Sequence, residues 1–219
     1  MFQRELLTVG ALAAAIFLAV AGAGWFTVRE LHEYSSKLVE DTLPGLVDSG
    51  LAGERMHDNR HTMREMLFPH TASELDQLIG VLGTSRTEAL WQDYATTIYE
   101  PEDQQNFQNM MQARSNYLAG EPRLFALVKA GRIPEATAHF HGGSWDAFAR
   151  YETGVRTLFE YNVQQGRHRA KFLLEINRYV QGVIAIFGLV LFLLGLAAGF
   201  RLALGSTRWV RAAISNRET

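Results

Sequence analysis

The sequence predicts an all-α protein: an antiparallel, up-down-up-down four-helix bundle whose helices 1 and 4 are continuous with two transmembrane helices. Three observations lead there. Two long apolar runs, 6–26 and 179–200, flank about 150 mostly polar residues, and each approaches the roughly 20 residues that a bilayer-crossing helix requires. Between them, apolar residues recur at steps of three and four, and no alternating run with hairpin turns interrupts them. Prolines and glycines divide that stretch into four rods.

The expected organisation is a cytoplasmic N-terminus (1–5), a first transmembrane helix (6–26), an extracytoplasmic bundle (27–178), a second transmembrane helix (179–200) and a cytoplasmic tail (201–219). Arg4 and the small residues Ala19, Val20 and Ala21 would also suit a cleaved signal peptide. The first run is longer than a signal core of roughly 7 to 15 residues, however, and Trp25 and Phe26 fit an interfacial aromatic belt. Arg201, Arg208, Arg211 and Arg217 follow the second run, opposed only by Glu218. That bias places both termini in the cytoplasm and the bundle outside it. In a Gram-negative cell this is an inner-membrane protein with its bundle in the periplasm, bathed at its ends by membrane lipid.

Composition narrows the chemistry. The net charge is −2, with no basic patch of the kind that binds nucleic acid. There is no cysteine, so disulfides, covalent haem attachment and thiolate metal sites are excluded. No nucleophile paired with a base, glycine-rich phosphate loop or paired-carboxylate motif stands out, which argues against an enzyme and implies no cofactor.

Each rod has its own signals. Leaving the first run, Val28, Leu31, Ser35 and Leu38 lead to Pro44, which removes a backbone hydrogen bond and is expected to bend the helix. Pro69 stops this rod, and Thr71 or Ser73 can cap the next, with Asp76 in its first turn. Pro101 separates the second and third rods. The third carries the clearest seam, Phe107, Met110, Ala113, Tyr117, Gly120, Leu124 and Leu127, with a kink expected at 120–122. Gly131 ends it, Pro134 opens a short helical piece, and Gly142 and Gly143 break before the last rod, with Ser144 its expected N-cap. Phe148, Val155, Phe159, Leu173, Ile176 and Val180 carry that rod into the second apolar run. Met56, Met63, Met66, Met110 and Met111 read as core filler, and Trp91 and Trp145 as core or rim aromatics.

The richest chemistry lies at 55–64, where Arg55, Asn59, Arg60 and Arg64 share one helix. At roughly 100° per residue, Arg60 and Arg64 lie about 40° apart, while Arg55 and Arg64 lie about 180° apart. One helix cannot aim all three at a single ligand. Two copies in a parallel homodimer can, and guanidinium forks match a carboxylate. The plainer alternative is a solvated face on which these arginines pair with Glu54, Asp58 and Glu65. Small residues at four-residue steps in the apolar runs, Gly10 with Ala14, Ala15 with Ala19 and Ala23, and Gly195 with Gly199, also allow close helix approach in a dimer.

The span-bundle-span order, the Leu43-Pro44-Gly45-Leu46 turn, the stretch from Ala130 through Arg132 to Glu135 and Ala136, and the arginine spacing together resemble the four-helix-bundle sensor domain of bacterial methyl-accepting chemotaxis receptors. The likeness is greatest to the serine and aspartate receptors. It covers essentially the whole chain and implies a membrane-bound sensor that binds a small carboxylate-bearing ligand, an amino acid or organic acid, at a dimer interface. By position, Arg55, Arg60 and Arg64 would hold the carboxylate and Asn59 a polar group, while Phe140 and Ser144 fall near the places that hold the ammonium end. The resemblance further implies signalling through helix 4 and the second transmembrane helix. After 200 the chain departs from that pattern. Residues 206–211 look like the opening of a HAMP helix, without its usual proline and without a second helix. The expectation is either a truncated chain or an orphan sensor whose cytoplasmic output belongs to a partner protein not present in this chain.

Two other readings come from the same residues. His57 and His61 stand four apart and could share a metal, and a bundle histidine could hold haem. Glu54 and His57 form only one Glu-x-x-His, whereas di-iron bundles repeat it on two helices. A structural or partner-binding membrane bundle with no small ligand is the rival from another class.

Overall fold

The computed structural model describes the backbone of residues 2–84 and 87–215, and side chains within that range apart from 2–10, 12, 13, 84, 194, 198, 199 and 201–215. Described residues form α1 (Phe2–Lys37), a π-helical turn (Leu38–Thr42), α2 (Leu43–Glu65), α3 (Ala72–Thr84), α4 (Glu88–Thr96), α5 (Pro101–Leu118), α6 (Glu121–Lys129), α7 (Ile133–His141) and α8 (Gly143–Ser215). No strand occurs among them. The chain divides into two compact units, 1–31 with 172–219, and 32–171.

The first unit contains the apolar runs. Two helices in the chain are long and apolar enough to cross a membrane by length and composition. Large apolar side chains there are open, including Phe17, Trp25, Phe26, Ile186 and Phe192. The arginines used for orientation (Arg4, Arg201, Arg208, Arg211, Arg217) and the packing residues Gly10 and Gly199 have side chains outside the described residues.

The second unit is the bundle. The register between α2 and α8 follows from close approaches: Gly45 meets Asn162, Gly50 meets Phe159 and Gly53 meets Val155. Each step up α2 is a step down α8, so the two run antiparallel. Arg114 of α5 pairs with Glu88 of α4, and Phe107 stacks on Tyr94, which makes α4 and α5 antiparallel too. Gly154 of α8 lets α5 come close; a Cβ there would lie 3.0 Å from the Met110 backbone. The core runs through Met56, Met63, Trp91, Met110, Tyr117, Leu124 and Leu158, each at most 3% exposed.

Most punctuation does what the sequence implies. Thr71 caps α3 in a reciprocal box, its hydroxyl accepting from the Glu74 N–H while the Glu74 carboxylate accepts from the Thr71 N–H. Gly131 stands at φ 69°, and the Arg132 N–H reaches back to the Leu127 carbonyl, a closure only a left-handed residue allows. Four details differ. Just before Pro44 the helix winds into a π turn over Leu38–Thr42, which the sequence did not predict. The expected kink at 120–122 is a break between α5 and α6, with Pro122 in the first turn of α6. Ser144 is not the N-cap of α8: the Trp145 N–H bonds the Gly142 carbonyl, and Ser144 lies inside the first turn. Phe159 is 40% exposed while Leu158 beside it is fully buried, because the true seam of α8 runs one residue earlier there.

Buried polar side chains from all four rods meet within the bundle. Asn162 donates to the Tyr94 hydroxyl, which donates to Asp103 at 2.7 Å; Arg169 pairs with Asp41 at 2.6 Å, both nearly inaccessible. Burial raises the Asp103 carboxyl above its usual range. The folded chain therefore holds that proton more tightly than the unfolded chain, so Asp103 weakens stability progressively as pH rises through this window. Asp103→Asn keeps an acceptor for Tyr94 without the charge. It is expected to be more stable than wild type at pH 7, by a margin that shrinks as pH falls toward 4, measured by denaturant unfolding at both pH values.

Candidate functional site

Arg60 is the centre of the part of the bundle where α2 meets α7 and α8. It projects from α2 into the junction of α7 and α8 and is 6% exposed. Its Nη2 donates to the Phe140 carbonyl at 2.8 Å and its Nη1 to the Ser144 hydroxyl at 3.1 Å. The guanidinium lies 3.5 Å above the Phe140 ring, with Phe148 at 5.1 Å and Trp145 at 5.4 Å. These quadrupoles stabilise a cation removed from water. Burial lowers the Arg60 pKa, opposed by the nearby Tyr117 hydroxyl, yet an arginine starting so high remains charged. No carboxylate pairs with it among the described residues, and its Nε has no hydrogen-bond partner there. The Tyr117 hydroxyl beside it is pushed up to about 12, chiefly by burial.

Of the six candidates, Arg60, Phe140 and Ser144 thus come together within one chain. Arg55 and Arg64 are exposed and make no ion pair among the described residues. The expected surface pairs with Glu54, Asp58 and Glu65 are absent from that set. Asn59 is half-buried and lines a separate cavity of about 480 Å³, together with Leu82, Arg114 and Phe125.

The exposed residues around the arginines have an order. Leu43, Val47 and Leu51 of α2 are 47%, 55% and 41% exposed. At about 100° per residue they define one outward face, with Arg55 about 80° to one side and Arg64 about 100° to the other. Phe159 of α8, against Gly50, extends that apolar face.

His57 and His61 are both exposed. The His57 Nε2 lies 3.4 Å from the Glu152 carboxylate, and its ring meets Phe148 edge-on. No group of three or more potential metal ligands gathers among the described residues.

Sequence reasoning missed the aromatic box. The sequence reads Trp145 as a core or rim aromatic and Phe148 as part of the last rod's seam; their three-residue spacing in the first turns of α8 is the signal that both face Arg60. Sequence reasoning also missed Arg169, whose hydrogen-bond partners Lys37, Asp41 and Thr42 lie more than 120 residues away.

No curated protein matches the chain. A family model does, over residues 4–171, described as a four helix bundle sensory module for signal transduction. That match spans the bundle and the first apolar run, the helical content and antiparallel register agree with it, and the chain belongs to this family of sensory modules.

Proposed function

We propose that the bundle senses a small carboxylate-bearing ligand, an amino acid or organic acid, at the interface of a parallel homodimer. The ligand biases helix four, which carries the signal through the second transmembrane helix to a cytoplasmic output. The observation that carries this reading is the placement of arginines around the outward face of α2. In a two-fold dimer joined along Leu43, Val47 and Leu51, Arg55 of one protomer approaches Arg64 of its partner, while Arg60 lies about 140° from that face, held inside its own protomer. Three cations without a carboxylate partner among the described residues suit an anionic ligand better than a second protein helix. The aromatic box positions Arg60, and Phe140 and Ser144 act by holding it. Asn59, on the neighbouring face, would offer a polar group to the rest of the ligand. The proposed setting is the inner membrane with the bundle in the periplasm, in keeping with the arginine-rich flank after the second apolar run.

A thermal-shift screen of the full chain in detergent against amino acids, organic acids and amines tests the ligand class. Stabilisation by a carboxylate, lost in Arg64→Ala, is expected. Stabilisation that survives both Arg55→Ala and Arg64→Ala, or none by any carboxylate, would rule the site out.

A further inference from the structure

Helix one changes its winding once inside the bundle. Over Leu38–Thr42 it is a π-helix, and the Leu43 N–H donates to the Leu38 carbonyl five residues back. Such a turn holds one residue more than regular α-helix would place there, and π turns are rare and short. Two features favour this one. Pro44 has no N–H for the Glu40 carbonyl four residues earlier, and in regular α-helix its ring would crowd that carbonyl. Arg169 arrives from α8 and its Nη1 contacts the Lys37 carbonyl at 2.8 Å, Asp41 at 2.6 Å and the Thr42 hydroxyl. All three acceptors belong to the π turn or the residue before it. Thr42 also packs against Gly166, where a Cβ would come within 3.2 Å, so α8 is held close at this level.

We propose that the π turn and Arg169 form a register switch between helix one and helix four. With Arg169 seated, the surplus residue is held within 38–42. With Arg169 withdrawn, the surplus passes out of the turn, and residues 32–37 rotate by about 100° and slide by about 1.5 Å against α2. Helix shifts at subunit interfaces are about 1–2 Å. A displacement of that size carries contacts of 2.6 and 2.8 Å beyond hydrogen-bonding range, so the motion helix four is suited to make is enough to unseat the arginine. Room for the rotation exists in a cavity of about 290 Å³ lined by Tyr34, Lys37, Gln165, His168 and Arg169. The use of this switch in signalling rests on the sensor reading above; its existence is tested with no ligand present.

The chain has no cysteine, so paired spin labels can be introduced cleanly in the full chain in lipid nanodiscs. One pair replaces Glu33 and His168, which line that cavity. A reference pair replaces His57 and Glu152, 3.4 Å apart beyond the turn. Combining Arg169→Met with Asp41→Asn removes the grip without stranding a charge, and should move the first pair by about 5 Å or more while leaving the reference pair in place. Deleting Val39, which is exposed, removes the surplus residue itself. In the wild-type background that deletion should leave the first pair unmoved, and in the double variant it should restore the native distance. A Val39 deletion that rotates the first pair as any deletion in regular helix would, or a double variant that lowers stability with both pairs unmoved, overturns the switch. Should the double variant not fold, the deletion alone decides between these outcomes.

Discussion

Replacing Asp41 with alanine is expected to lower the unfolding free energy by about 3–5 kcal/mol. Asp41 and Arg169 expose only 5% and 4% of their side chains. Removing the carboxylate leaves a guanidinium inside the bundle with the Lys37 carbonyl and Thr42 hydroxyl as its near acceptors, and Glu100 at 3.9 Å is too distant and too exposed to replace it. Breaking one side of such a pair costs far more than removing both sides, because the penalty is the stranded charge. The double replacement Arg169→Met with Asp41→Ala should therefore recover most of the loss, and the double-mutant cycle closed by Arg169→Met alone, followed by denaturant unfolding, measures this. Equal losses in Asp41→Ala and the double variant would mean that the contacts hold the fold through packing alone.

Helix ends were legible in the sequence because they are local. Thr71, Pro101, Gly131 and Pro134 each act within four residues of themselves, and each marks the boundary it implied, although the first-turn acid of α3 is Glu74 and not the expected Asp76. What the sequence could not show depends on residues brought from far away. Pro44 alone implies a bend; the π turn before it is contacted by Arg169, which belongs to the opposite rod. Ser144 has the chemistry of an N-cap, but Arg60 reaches it from α2, and the hydroxyl accepts that bond inside the first turn of α8. Phe159 satisfies a three-and-four spacing as well as Leu158 does, yet Leu158 is fully buried while Phe159 lies 40% exposed against Gly50.

The arginine cluster was half legible. Helical geometry showed that Arg55 and Arg64 diverge, and both are exposed on opposite flanks of α2. Geometry did not show that Arg60, only about 40° from Arg64, is buried under Phe140, since α7 and the start of α8 form that lid. The difference matters for function. A guanidinium already fixed by two hydrogen bonds and an aromatic ring is preorganised, whereas Arg55 and Arg64 need a ligand or a partner to order them.

The second large effect concerns the ligand, and subunit mixing measures it. With the carboxylate identified by the thermal-shift screen, Arg55→Ala and Arg64→Ala homodimers should each lose binding, since each destroys both sites of a two-fold dimer. Co-expressed with different affinity tags and purified through both, the mixed dimer regains one intact site, built from Arg55 of one protomer and Arg64 of its partner. Calorimetry on that mixed dimer should give about one ligand per dimer at near wild-type affinity, against about two for wild type. A mixed dimer as inactive as its parents, or parents that bind as wild type does, would contradict a site shared across the interface.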